Sequence, residues 1–494
     1  MLHALWIAAA VTILVPSAAD PDLWGHLLFG SSLLNGTWHV ENTFAYTTPE
    51  QPWVNHELLA ELTMAGIYRL TGGVGLVALK LALGLATAAL LWRTAARRSA
   101  DATAATLAIV LALVVMTPGF MIRPQLFTMA FLAATLALVH RADFAPRGAA
   151  WWLPLVVVVW VNTHGGVLAG VGLTGVAVGV TTIVAGARGT LDRRGAAAAI
   201  ALGAALAAAL LLNPYGLRLL HFLVFEVTPH VPISEWKPVP LADGSFAAFK
   251  AMLVVAGVGC VVVRPRLAEI AIVGVTAAVA LRHQRHVPLF AIAAAPLVAA
   301  TFATALARLA ARTPANVTIL ARRGLAAGAA LQVAVALVTV WAWRGGIAVS
   351  PAYYPVQAVR FLAQNDICGN VALPFRWGEY ALWALPTGTK VAVDGRFTTA
   401  YPAPLLEAAW RFMAGGPGWD TLLDDYPTDI VIADRNQAPA TLLRDDAEWE
   451  YVYSDPVSVV FLRRTERHAE VLERFREGAL RYDRSPVPTT FPAG

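Results

Sequence analysis

Long apolar runs alternate with short polar segments through the first 344 residues, and the polar segments are of two sorts. One sort holds arginine clusters: Arg93/Arg97/Arg98, Arg141/Arg147, Arg188/Arg193/Arg194, Arg264/Arg266 and Arg308/Arg312/Arg322/Arg323. The other is dense in Asp, His, Glu, Asn and Trp. A helix crossing the hydrocarbon needs about 20 mostly apolar residues. Eleven segments are candidate spans: 2–18, 73–92, 102–118, 125–140, 150–162, 166–186, 195–212, 246–263, 267–281, 288–307 and 325–343. Arginine excess in short loops marks the cytoplasmic side. Starting inside, these spans put every arginine cluster in the cytoplasm and every other polar motif outside. The fold class expected is an α-helical polytopic membrane domain over residues 1–344, followed by a soluble α/β extracytoplasmic domain over 345–494, all in the inner (plasma) membrane.

Ser17-Ala18-Ala19 would suit a signal-peptide cleavage site, yet the first residues carry no Lys or Arg, so the first span reads as an uncleaved helix. Residues 19–72 form a long outer loop. Within it His56–Leu70 has amphipathic spacing and reads as a helix lying along the membrane surface, with Glu57, Glu61 and Arg69 on its polar face. A second outer loop, 213–245, is broken by Pro214, Pro229, Pro232, Pro238 and Pro240. In the tail, strands are expected at Val371–Phe375, Lys390–Val393 and Asp429–Ala433, with helices near Pro355–Gln364, Gly378–Leu385, Pro404–Ala414 and Gly418–Tyr426. A hairpin, Glu450–Tyr453 with Val457–Arg463, closes it. Strand–helix alternation argues for an α/β layer.

The composition agrees: 57% of residues are hydrophobic and 14% charged, against roughly a quarter charged in soluble domains. The net charge of +5 sits in short loops between apolar runs, an orientation signal that argues against a nucleic-acid partner. Cys260 lies in an apolar run and Cys368 in the tail, so no disulfide framework or cysteine metal site is implied.

Asp20-Pro-Asp22-Leu-Trp24 follows the first span, where two carboxylates could act as a base or hold a divalent ion, or simply cap the helix Leu23–Leu34. His26 and Trp24 beside them favour a site at the water–lipid boundary. His56 and Glu57 open the surface helix; they either converge with the Asp pair on a polar substrate or serve only the helix terminus. Arg123, and the group Arg282, His283, Arg285 and His286, are basic residues on the side that lacks arginine clusters. An anionic headgroup is the simplest reason for them, since Arg makes bidentate phosphate contacts and His can protonate a leaving oxygen. Glu235 and Trp236 either line a carbohydrate surface or anchor the interface. Asn162, His164 and Asn213 read as helix-end residues with packing roles. Asp394-Gly395-Arg396 is first a turn signal, and Gly378-Glu379-Tyr380 opens a tail helix. The tail has no GxGxxG, P-loop, Gly-x-Ser-x-Gly or HExxH pattern.

In layout, and in the first outer loop by motif, the chain resembles the polytopic GT-C glycosyltransferases, and is similar to the Rgt-type and protein-mannosyltransferase-like bacterial membrane proteins. The residues that carry this are Asp20-Pro-Asp22-Leu-Trp24, Trp53-Val-Asn-His56-Glu57, Arg123-Pro-Gln125, Asn213-Pro-Tyr215-Gly216, Arg285-His286 and the soluble tail. The resemblance implies inverting transfer of a sugar from a polyprenyl-phosphate donor to an extracytoplasmic glycan, lipid or protein acceptor. It gives Asp20 or Asp22 the role of catalytic carboxylate and Arg282–His286 the lipid phosphate. The sequence assigns no cofactor, and a divalent metal at the Asp pair stays an alternative. The acidic pair usual in a second outer loop of the family has only Glu226 and Glu235 to stand for it here. Two other readings remain: a non-enzymatic transporter or lipid-carrier-binding protein, and a polymerase or ligase that moves a whole glycan.

Overall fold

The structure is a computed structural model and describes residues 1–226, 234–343, 345–483 and 485–492, without the side chains of 315, 316, 318, 319 and 322. The loop prolines Pro229 and Pro232 and the boundary residue Arg344 lie outside the described residues. The membrane part is helical: α1 (Leu2–Leu14), α2 (Leu23–Leu34), α3 (Leu58–Ser99), α4 (Ala102–Met116), α5 (Gln125–Arg141), α6 (Leu153–Val161), α7 (Val167–Ala187), α8 (Arg193–Leu211), α9 (Leu217–His221), α10 (Ala247–Val262), α11 (Leu267–Arg282), α12 (Val287–Ala310) and α13 (Ala315–Ala342). Each expected span meets one of these helices. Among the described residues, six helical stretches are long and apolar enough to cross a membrane unaided: those beginning at Leu58, Ala102, Val167, Arg193, Gln284 and Arg323. Helix α12 is the axis of the bundle. From Phe290 to Ala299 it is sheathed by α3, α4 and α10, and the small residues Ala291 and Ala293–Ala295 let those helices approach closely. Three arginine clusters meet at one end, where Arg98 grips Glu269, beside Arg264 and Arg266, at 3.1 Å and Arg266 reaches Asp143, between Arg141 and Arg147, at 2.7 Å.

The expected surface helix is present and runs into the next span across a kink. Gly72, at φ +64°, breaks the helical geometry inside α3 and separates the two parts, a conformation that glycine adopts without a Cβ clash. Its faces follow the amphipathic spacing only in part: Leu58 and Ala65 are buried and Arg69 is exposed, but Glu61 and Leu70 are the other way round. Glu61 is 2% exposed while Leu70 is 83% exposed, because lipid stands where water would and the acidic residue turns inward. The 150–162 segment is shorter than expected, a 3₁₀ turn followed by the nine residues of α6.

The tail is an α/β layer, with α14 (Val356–Gln364), α15 (Phe375–Ala384) and α16 (Ala403–Ala414) around a five-stranded sheet. Its strands β1 (Asn370–Ala372), β2 (Lys390–Val391), β3 (Ile430–Asp434), β4 (Trp449–Ser454) and β5 (Ser458–Arg463) lie in the order β2-β1-β3-β5-β4. The first three are parallel and the last two form the antiparallel hairpin. Asp455 closes that hairpin by accepting from the Val457 and Ser458 amides, each at 2.7 Å. Phe375 opens α15 rather than ending β1: Pro374 supplies no amide to a ladder and suits the entry to a helix.

The tail is bound to the membrane part through the first outer loop. Tyr46 N–H donates to Val391 O at 3.2 Å and Val391 N–H to Phe44 O at 3.1 Å, so the loop adds itself to the open edge at β2. One apolar core joins Leu23, Trp24 and Leu27 of α2 to Tyr354, Trp377 and Tyr380 of the tail. Arg396 acts as a clasp between the two. It is hydrogen-bonded to Asp394 and to Asn42 Oδ1 and lies 4.7–5.2 Å from the ring centres of Phe29, Phe44 and Trp53 of the first loop.

Candidate functional site

A cavity of about 640 Å³ opens where the first outer loop, the outer helix ends and the tail meet. Its wall draws on the first outer loop, the turn at Arg123, His164, the turn at Glu235–Trp236, Arg285 and the tail. Asp20, Asp22, His26, His56, Glu57, Arg123, Glu235, Trp236 and Arg285 all line it. Of the expected group at the end of α11, only Arg285 reaches it. Arg282, His283 and His286 do not line it, because α11 ends at Arg282 and a single 3₁₀ turn over Gln284–His286 fans the side chains apart. His283 Nδ1 instead meets Trp236 O at 2.7 Å, which fixes the Trp236 segment against the turn.

Neither aspartate caps α2 with its side chain. Between them sits Arg123, held there by the short turn before α5. Its Nη2 donates to Asp20 Oδ2 at 2.5 Å, it lies 3.6 Å from Asp22 Oδ2, and its Nη1 donates to Glu235 Oε1 at 3.1 Å. The cation between the Asp pair is therefore a guanidinium, in the place where a divalent ion was an alternative. The two carboxylates differ. Asp20 is fully enclosed at 1% exposure, whereas the Asp22 side chain keeps 29% and faces the cavity. Burial, with Asp20 and Glu57 nearby, pushes the Asp22 carboxyl up to about 6 against the pull of Arg123.

Below Asp22 lies a charge-balanced network. His26 Nδ1 stands 3.4 Å from Glu61 Oε1 and 3.7 Å from Glu57 Oε2, and Asn55 Nδ2 donates to Glu61 Oε2 at 2.6 Å. Burial pulls the imidazole down, but Glu57, Glu61 and Asp22 outweigh it and hold His26 at about 9, so it is cationic at neutral pH. Glu57 is held below the usual carboxylate range: burial opposes ionisation, and His56, His26, His164 and Arg123 overcome it. His164 is the opposite case. Its Nδ1 accepts from Gly166 N–H at 2.8 Å, leaving Nε2 3.5 Å from Glu57 Oε1, and burial drives it down to about 4. One donor atom each from His26, Glu57 and Glu61 lies within 4.8 Å of the others, a spacing that a divalent ion can use. In the structure the same atoms pair with one another, His26 with both Glu57 and Glu61.

Across the cavity Arg285 stacks on Trp236, its Cζ 4.5 Å from the ring centre. No described carboxylate pairs with it, and no described atom accepts a hydrogen bond from its guanidinium. It is a cation without a described ion-pair partner, in one cavity wall with Glu235, Glu57 and Asp22.

Several wall residues were not candidates from the sequence. Glu61 read as solvated, His164 as a packing residue, Glu379 and Arg396 belonged to tail segments that read as a helix and a turn, and Arg376 fell between an expected strand and an expected helix. The remaining readings of helix-end residues hold: Asn162 Nδ2 donates to Val158 O and Leu212 O, and Asn213 Oδ1 accepts from Tyr215 N–H.

No family model matches the chain, and no curated protein matches it in sequence. Solved structures do match. The crystal structure of ArnT from Cupriavidus metallidurans in the apo state is similar over 92% of this chain and 97% of its own, with a TM-score of 0.51 and 14% identity. The chain shares the fold of that structure, from the helical bundle through the tail.

Proposed function

We propose that the chain is a membrane glycosyltransferase that moves a sugar from a polyprenyl-phosphate donor to an extracytoplasmic acceptor. The observation that carries this reading is the presence, in the wall of one cavity, of a partly exposed carboxyl and an arginine without a described ion-pair partner. Asp22 is the base: its pKa of about 6 leaves it ionised at neutral pH yet basic enough to take a proton as the acceptor hydroxyl attacks. Asp20, locked to Arg123, is the anchor that holds the loop in place. Arg285 receives the lipid phosphate, where bidentate N–H donors stabilise the charge that develops as the glycosidic bond to phosphate breaks. Trp236 braces Arg285, and its ring offers a face for the sugar. The carrier's long isoprenoid explains why the cavity sits at the mouth of a helical bundle, with the tail above it.

A transporter is the weaker reading. Transporters place ionisable groups near the bilayer midplane, whereas the ionisable cluster here gathers at one end beneath the tail. Native mass spectrometry of the purified protein with a polyprenyl phosphate tests the donor assignment. Retention of the lipid by wild type, and loss of roughly tenfold or more in affinity in Arg285→Ala, is the expected result. Equal retention by both proteins removes Arg285 from the donor site.

A further inference from the structure

Glu379 sits in the first half of α15, and α15 packs directly on α2. The side chain is 3% exposed, yet it forms part of the cavity wall. Its Oε2 accepts from Gly25 N–H, in the first turn of α2, at 3.2 Å. That leaves Oε1 to point along the wall toward Asp22. Gly395 shows how closely the two acids approach: a Cβ on it would stand 2.6 Å from Asp22 Oδ1 and 2.8 Å from Glu379 Oε1. A methyl on Gly25 would collide with the Glu379 carboxyl itself. The two glycines thus make the room in which a carboxyl of the tail meets a carboxyl of the membrane part.

No described cation forms an ion pair with Glu379. The charged groups facing it are Asp22 and Asp20 from the first loop and Asp394 and Arg396 from the turn after β2, and Arg396 is bonded to Asp394. Those facing Asp22 are Arg123, Asp20, His26 and Glu57. Both carboxyls reach within 2.8 Å of one point, and Glu379 is sealed from water with no described counter-ion, so the two do not both ionise.

We propose that Glu379 and Asp22 form a carboxyl pair holding one proton, in which Glu379, supplied by the tail, is the positioning residue that aims Asp22 into the cavity. The proton resides on Glu379 Oε1 and is donated to Asp22 Oδ1, so Asp22 stays the ionised partner with its second oxygen free for substrate. Burial first, then the neighbouring Asp22 and Asp394, raises the Glu379 carboxyl well above its ordinary range, in agreement with this assignment. The tail is then part of the working site, and a protein without it would lose the alignment of its base. The role given to Asp22 rests on the transferase reading above; the shared proton does not.

The test therefore has an arm independent of activity. An acid whose folded pKa is raised binds its proton more tightly in the folded state, so its stabilising effect is full below the unfolded pKa and fades as pH rises toward the folded one. Thermal melting of purified full-length wild type and Glu379→Gln, across about pH 5 to 8, should show Glu379→Gln gaining on wild type as pH rises. In an Asp22→Asn background the gain should shrink. Parallel melting profiles, or effects of Glu379→Gln that are equal in both backgrounds, overturn the pair. With a transfer assay, Glu379→Gln keeps a donor of the same shape and should retain most activity, while Glu379→Ala should lose roughly 10- to 100-fold. If Asp22→Asn leaves transfer intact while the melting result holds, the transferase role of Asp22 fails and the carboxyl pair stands.

Discussion

Arg123 offers the sharpest test of how the site is held together, because its three partners differ so widely in exposure. Asp20 is 1% exposed, the Asp22 side chain 29% and the Glu235 side chain 40%. An ion pair as open as that with Glu235 is screened and contributes at most about 1 kcal/mol. Asp22, at 3.6 Å and partly solvated, contributes little more. Asp20 is the expensive partner: removing the cation from a sealed carboxylate costs about 3–5 kcal/mol. Arg123→Gln should therefore destabilise the protein by about that amount, nearly all of it through Asp20. The double variant Arg123→Gln/Asp20→Asn removes the stranded charge and should recover most of the loss, whereas adding Glu235→Gln to Arg123→Gln should recover almost none. Denaturant or thermal unfolding in one detergent measures all four proteins. If Arg123→Gln costs under about 1 kcal/mol, or if Asp20→Asn fails to rescue it, the buried pair is not the anchor described here.

Other consequences follow from the same geometry. Activity should rise through about pH 6 as Asp22 loses its proton and stay level above it, so a rate that falls between pH 6 and 7.5 would exclude Asp22 as the base. Gly25→Ala should push α15 off α2 by crowding the Glu379 carboxyl, costing about 1–3 kcal/mol and exposing the tail to limited proteolysis; unchanged digestion would contradict the close approach. Arg396→Lys keeps the charge but loses the planar stacking and the forked bond to Asp394. It should destabilise by roughly 2 kcal/mol, read by thermal melting, and a silent substitution would mean the clasp is not structural.

Much of this arrangement was legible along the chain. Hydrophobic run length located the helices, and the two sorts of polar segment separated the end that carries arginine from the end that carries chemistry. Asp22, Arg123 and Arg285 announce themselves because charge beside an apolar run has a solvation cost that needs a reason. Local pattern goes no further, since it cannot tell which way a terminal turn fans its side chains. Arg282, His283 and His286 share a motif with Arg285, yet one 3₁₀ turn separates them from the cavity. Glu61 looked solvated because amphipathic reading assumes water on the polar face, an assumption that fails at a membrane interface. Glu379 had no signal, for its meaning comes only from α15 docking on α2 across more than three hundred residues. The small residues that permit the docking, Gly25 and Gly395, look like ordinary helix and turn glycines.

The claim that Asp22 works on a lipid-linked sugar is tested most directly by mass spectrometry of envelope glycans and glycolipids from cells that lack the chain and carry either the wild-type or the Asp22→Asn protein. One sugar should be missing without the chain, be restored by wild type, and stay missing with Asp22→Asn at equal protein abundance. Full restoration by Asp22→Asn, or glycans that never change, would contradict the account.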